Sequence, residues 1–316
     1  MRPMSRVLSG LVVIVSAAAG AFATPAGEGP QFVVAHRGAS AYIPEHTLAA
    51  YAFAHAAGAK YIEPDVVLTK DGVLICSHDI HLEISTNVAE VFPDRAREDG
   101  RYYAIDFTVE EIRKLSRTNG DPAHHVGVPT LDDMIEMIRA INIATGEHAG
   151  IVPEMKDPAF HRSEGVSIAK ALAETLERHG YKDRPWQCIV QSFDVKALLE
   201  FGRTFGPGTR RMLCIGGDTL LDENIAIGYA EWAWGIAVPM RWIEQDGAYT
   251  QAGARWVKTM QSSGLNVFVY TFNGDFETAQ RFFDPSPHGY DVDGIFADNP
   301  DVAQQAITRT PENTGG

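Results

Sequence analysis

The chain has 316 residues, 45% of them apolar, and a formal net charge of −14. That length suits one large domain with a sizeable core. Charge of this sign argues against a nucleic-acid binder, and three cysteines without a CxxC pair exclude a disulfide scaffold. Cys76, Cys188 and Cys214 leave room for one disulfide or for buried thiols.

The N-terminus is basic at Arg2 and Arg6, apolar from Leu8 to Ala19, and closes on Ala21-Phe22-Ala23. This pattern predicts a secretory signal peptide over residues 1–23, cut after Ala23. The apolar run is shorter than the roughly 20 residues that a spanning helix needs. No cysteine follows the cut to carry a lipid. The expectation is an exported protein without stable membrane insertion, in the periplasm or outside the cell.

Strands and helices alternate through residues 24–316. Phe32 to Ala35 reads as a strand, and Thr47 to Ala57 as an alanine-rich helix stopped by Gly58. Tyr61 to Val67 is a second strand. Val73 to Ser77 follows the Lys70-Asp71-Gly72 turn and predicts a hairpin. From Ile80 to His125 the chain is charged and irregular, punctuated by Pro93, Asp99-Gly100 and Asn119-Gly120-Asp121-Pro122. Residues 80–125 are therefore expected to form an insertion with one helix near Glu110 to Leu115. The rhythm then resumes with a helix at Asp132 to Ala140, a strand at Ile151 to Lys156 and a helix at Glu164 to Arg178. Strand Cys188 to Ser192 leads into helix Val195 to Phe201. Strands follow at Arg211 to Ile215 and Trp234 to Val238, then a helix at Trp256 to Gln261. The last strands are Val267 to Thr271 and Gly294 to Ala297, before a polar tail from Thr308. Eight parallel-type strands predict an α/β fold, a (β/α)8 TIM barrel with an insertion after its second strand.

Barrels place their active sites at the C-terminal ends of strands. His36 and Arg37 end the first strand, and Gln191 ends another. Glu63 and Asp65 alternate in the second strand and so face one way. Glu154 and Lys156 repeat that spacing. Carboxylates in apolar strands are costly unless paired. A hard divalent cation would relieve the repulsion among Glu63, Asp65 and Glu154. His78 follows an apolar run. His46, His161 and the remaining histidines lack such a setting and receive no role.

The run Val33 to Thr47, with His36-Arg37-Gly38 and Pro44-Glu45-His46-Thr47, resembles the opening signature of the glycerophosphodiester phosphodiesterase family. Glu63-Pro64-Asp65, Ser77-His78-Asp79, Glu154-Met155-Lys156, Gln191-Ser192-Phe193 and the run Asp293 to Asp298 are similar to its later motifs. Phe92 to Phe107 resembles the insertion of the exported bacterial branch. Two departures are His46, where many members have Asn, and Tyr270, where they often have Trp. The resemblance implies that Glu63, Asp65 and Glu154 hold one divalent cation. The all-oxygen set in an exported protein favours Ca2+ over Mg2+. It implies that His36 and His78 share general base and acid duties, that Arg37 and Lys156 contact phosphate with Gln191 at the substrate, and that Glu45 supports the site by orienting a histidine or joining the metal. The implied reaction cleaves a small glycerophosphodiester to sn-glycerol 3-phosphate and an alcohol, and the glycerol 2-hydroxyl can attack phosphorus first. Alternatives are a lysophospholipase D or phosphoinositide-type enzyme, and a phosphodiester-capturing solute-binding protein.

Overall fold

A computed structural model describes residues 31–118, 125–217, 222–245 and 248–308. The expected signal peptide, the Asn119 to Pro122 turn and nearly all of the polar tail lie outside the described residues. Within them are thirteen strands: β1 Phe32–Ala35, β2 Tyr61–Ile62, β3 Asp65–Leu68, β4 Leu74–Cys76, β5 Gly150–Ile151, β6 Glu154–Met155, β7 Ile189–Ser192, β8 Arg210–Cys214, β9 Gly235–Pro239, β10 Glu244–Gln245, β11 Ala248–Tyr249, β12 Asn266–Phe272 and β13 Gly294–Ala297. Eleven make one curled sheet in the order β4-β3-β6-β7-β8-β9-β12-β13-β1-β2-β5. Its pairs are parallel except for the expected β3–β4 hairpin. β10 and β11 pair with each other apart from it.

The regular eight-stranded barrel expected from the sequence is thus replaced by a distorted one, and two prolines are responsible. The strand expected at Tyr61 to Val67 breaks at Glu63-Pro64, and that at Ile151 to Lys156 breaks at Val152-Pro153. The fragments keep one register, Tyr61 opposite Gly150 and Asp65 opposite Glu154, so Pro64 lies beside Pro153. Neither proline has an N–H to donate, and each removes a ladder bond. Their carbonyls still accept, from Glu154 N at 2.9 Å and Gln191 N at 3.0 Å.

The helices form where side chains cap them and an apolar face can be buried. Thr47 accepts from Ala50 N to start Leu48–Ala56. Thr130 and Asp133 make a capping box for Leu131–Thr145, whose Leu131, Met134, Ile135 and Ile138 are buried. The helix expected at Glu164 to Arg178 starts later, at Ile168–Arg178, and a separate short helix, Pro158–Ser163, precedes it. Helices Phe276–Phe283 and Pro300–Thr308 were not expected. Among the described residues no helix is long and apolar enough to cross a membrane. All three cysteines are buried free thiols, which settles the pairing question.

Apolar side chains fill both faces of the sheet. Helical residues such as Leu172, Leu176, Leu198 and Phe201 cover its outer face. On the inner face Val34, Tyr61, Val152, Ile189, Met212, Ala237, Phe268 and Phe296 pack together. Residues 80–118 carry their own core, in which Leu82, Val88, Phe107, Ile112 and Leu115 pack on Val67 and Ile75 of the hairpin. The expected helix there is Val109–Ile112, and a second short one spans Val88–Val91. Arg97 clasps this segment to the chain beyond β6. It pairs with Asp106 at 2.7 Å and Glu164 at 2.8 Å, with its guanidinium 4.2 Å from the Tyr103 ring centre. Tyr103 in turn stacks on Phe160 at 5.1 Å.

Candidate functional site

The site begins where β1 ends. His36 N extends the β1–β13 ladder by donating to Ala297 O at 2.9 Å. The chain then turns through left-handed Arg37 and Gly38, at φ 56 and 88. A Cβ on Gly38 would lie 2.8 Å from the backbone of Ala50, so only glycine fits. The turn aims Arg37 N at Glu63 Oε2, 2.7 Å away. The Arg37 side chain bonds Glu45 at 2.7 Å and approaches Asp65 at 3.5 Å. Glu45 therefore holds an arginine. Its hydrogen bond goes to Arg37, and the converging carboxylates are Glu63, Asp65 and Glu154.

That cluster is Glu63, Asp65 and Glu154, all buried, with ligand-type oxygens within 4.8 Å of one another. Burial, then the charges of Asp65 and Glu154, hold the Glu63 carboxyl well above its usual range. Burial and Asp65 push Glu154 up to about 7. Burial opposes the charge of Asp65 too, but Lys156, His46 and Arg37 keep it well below the usual range. Lys156 Nζ lies 2.8 Å from Glu154 and 3.7 Å from Asp65. Lys156 and Arg37 leave one carboxylate oxygen without a hydrogen bond: Asp65 Oδ1 is buried, 3.7 Å from Lys156 Nζ. Three hard oxygen donors and an orphaned lone pair fit a divalent cation such as Ca2+ or Mg2+.

Gln191, expected at the substrate, lines the same cavity as His36 and His78. It is buried, and its Nε2 donates to Glu63 Oε1 at 3.0 Å. Its amide is spent on orienting a carboxylate.

His36 and His78 face the same cavity, of about 130 Å3, with Lys156, Phe193, Tyr270 and Phe296 among its walls. His36 Nδ1 is 2.7 Å from Asp298 Oδ1, which also accepts from Ser40 Oγ at 2.9 Å. Arg37 Nε donates to the other ring nitrogen, Nε2, at 3.3 Å. His78 bonds Asp79 through Nδ1 at 3.1 Å. Tyr270, the aromatic departure noted above, donates to Ile215 O at 2.7 Å and meets Phe193 edge-on at 6.0 Å.

Two site residues escaped the sequence reading. Asp298 lies just past β13, so the strand-end rule that selected His36 could have selected it. His46, wholly buried, bonds Asp65 at 3.0 Å. It sits in a loop before a helix, where neither periodicity nor a strand end marks it.

Residues 36–302 match the glycerophosphoryl diester phosphodiesterase family. A glycerophosphodiester phosphodiesterase of Haemophilus influenzae is 30% identical over 88% of this chain and 90% of its own. A probable glycerophosphodiester phosphodiesterase 1 of Mycobacterium tuberculosis is 62% identical over 55% of this chain and 61% of its own. In fold, the chain is similar to an Oleispira antarctica phosphodiesterase solved in complex with the product sn-glycerol-3-phosphate. The TM-score is 0.68 at 24% identity, covering 88% of this chain and 96% of that one.

Proposed function

The chain belongs to the glycerophosphoryl diester phosphodiesterase family, and from that premise we propose that it hydrolyses glycerophosphodiesters to sn-glycerol 3-phosphate and an alcohol. The observation that carries this reading is one cavity walled by two histidines, two cations and three converging carboxylates. Glu63, Asp65 and Glu154 would hold a divalent cation, with Ca2+ favoured over Mg2+ because every ligand is a carboxylate oxygen and the protein is read as exported. The cation supplies Lewis-acid stabilisation of charge on a phosphate oxygen.

The chain's own residues divide the remaining work. His36 takes the proton of the attacking hydroxyl, and His78 gives one to the departing alkoxide. Arg37 and Lys156 attract the phosphate and offset the acidic field of the molecule. Their pairing with Glu45 and Glu154 holds both cations in place before substrate arrives. The curled sheet is read as a (β/α)8 barrel interrupted at Pro64 and Pro153, since its inner cluster draws at least one side chain from each of eight strand paths. The export assignment, to the exported branch and most simply to the periplasm, rests on residues 1–23 and on the likeness at Phe92 to Phe107.

The test is turnover of glycerophosphocholine by the purified protein with Ca2+, with Mg2+ and in excess chelator. Release of choline and sn-glycerol 3-phosphate only with metal is the expected result. Full activity in chelator would overturn the metal reading, and better rescue by Mg2+ would overturn the choice of ion. Tight binding without turnover would return the chain to the class of binding proteins.

A further inference from the structure

His46 takes no part in the proton transfers above, yet it is more constrained than either catalytic histidine. Its side chain is wholly buried and its backbone is left-handed at φ 54. A non-glycine residue holds that conformation at a cost on the order of 1 kcal/mol, and only where its surroundings over-determine it. Here three bonds do so. The backbone N–H donates to Arg37 O at 3.1 Å. Nε2 lies 3.0 Å from Asp65 Oδ2, and Nδ1 lies 2.9 Å from the Tyr51 hydroxyl.

These partners fix where each proton sits. An ionised carboxylate can only accept. His46 must therefore carry its proton on Nε2 and accept at Nδ1 from the Tyr51 O–H. Tyr51 is also fully buried. Both donors, the Tyr51 O–H and the His46 Nε2–H, point toward Asp65.

The end of the chain explains its use. His46 occupies Oδ2 of Asp65, and Oδ1 is the buried oxygen left without a hydrogen-bond partner. A core histidine that merely needed satisfying could have bonded any carbonyl. This one sets the rotation of a carboxylate so that Oδ1 makes no hydrogen bond and faces Lys156 Nζ at 3.7 Å. We propose that His46 and Tyr51 are positioning residues that hold Asp65 in its cation-binding orientation, and so set the affinity of the carboxylate cluster. The inference rests on the cation reading of the preceding subsection.

Calorimetric titration of chelator-treated, dialysed protein with Ca2+ alone tests it, with thermal melts in chelator alongside. Loss of a partner that orients a metal ligand lowers metal affinity by roughly 10–100-fold, and that is the loss expected for His46→Leu. His46→Gln, which returns an amide N–H near the Nε2 position, should recover most of it. Tyr51→Phe, which deletes only the hydroxyl, should shift affinity in the same direction by less. Lower melting temperatures in chelator with unchanged Ca2+ affinity in both His46→Leu and Tyr51→Phe would overturn the proposal, leaving a structural role. Should His46→Leu fail to fold, unchanged affinity in Tyr51→Phe overturns the relay by itself. A wild-type protein that binds no divalent cation would overturn the cluster reading, and the relay with it.

Discussion

Two hydrogen bonds decide which nitrogen of His36 carries its proton. Asp298 can only accept, so Nδ1 is protonated and Nε2 carries the basic lone pair, which Arg37 Nε holds until the attacking hydroxyl takes its place. Burial opposes the charge of Asp298, yet the bond from His36 keeps its carboxyl below the usual range. Asp298→Asn replaces an obligate acceptor with a group that can donate, which permits the wrong tautomer. Its kcat should fall by about 10²-fold or more, within the span of general base catalysis, with little change in KM. An unaltered kcat would show that His36 needs no orienting partner. The two histidines separate by leaving group. Each alanine variant should lose roughly 10²–10⁴ in rate on natural substrates. With a nitrophenyl diester of glycerol, whose leaving group needs no proton, His78→Ala should regain much of its loss and His36→Ala should not. Preferential recovery of His36→Ala would exchange the roles.

At the level of elements, the segment at residues 80–118 is held by its own small core and by the Arg97 clasp. Arg97→Ala removes a paired guanidinium lying over Tyr103 and releases the link to Glu164. Partly exposed pairs are worth little singly, but the geometry here is bidentate and ring-stacked. A loss on the order of 1 kcal/mol is expected in denaturant unfolding, and a double-mutant cycle with Glu164→Ala should show coupling. Additivity in that cycle would reduce the clasp to two independent contacts. The hairpin and β1 were legible in the sequence because turn chemistry and an apolar run between breakers marked them. The split strands were not, because Tyr61 to Val67 and Ile151 to Lys156 look continuous in hydropathy. The prolines within them were the signal, since a proline in a would-be central strand argues for a break. Helices Phe276–Phe283 and Pro300–Thr308 are too short for a periodic pattern to stand out, and packing selects them. At the site, strand-end carboxylates and histidines were readable as chemistry. What each partner does was not: Gln191 and Glu45 acquire their bonds to Glu63 and Arg37 only when separate strands and loops meet.

The whole molecule responds to pH through buried groups, one of them a histidine with no assigned catalytic role. His161 is buried with both ring nitrogens lacking hydrogen-bond partners, and burial lowers its pKa to about 4. The folded protein keeps it neutral while the unfolded chain protonates it near 6.5. Stability from this group is therefore full above pH 6.5 and is lost as pH falls toward 4, at up to about 1.4 kcal/mol per unit. In saturating Ca2+, the wild type should weaken relative to His161→Phe across that window. Parallel melting curves would refute the assignment. The carboxylate trio acts in the opposite sense. Without a cation the fold confines three acids in one buried place, and the raised Glu63 and Glu154 answer by retaining hydrogen ions. A divalent cation entering the cluster must therefore evict what those acids hold, which would make the site an ion exchanger. Titrating weakly buffered apoprotein with CaCl2 should acidify the solution. The effect should be largest between the ordinary glutamate value of 4.5 and about 7, and should fade above it. The calcium affinity of the fold would then climb with pH through that interval. The same exchange makes acidity a competitor for the enzyme's ion, so that a drop in pH would empty the site and silence it with no inhibitor present.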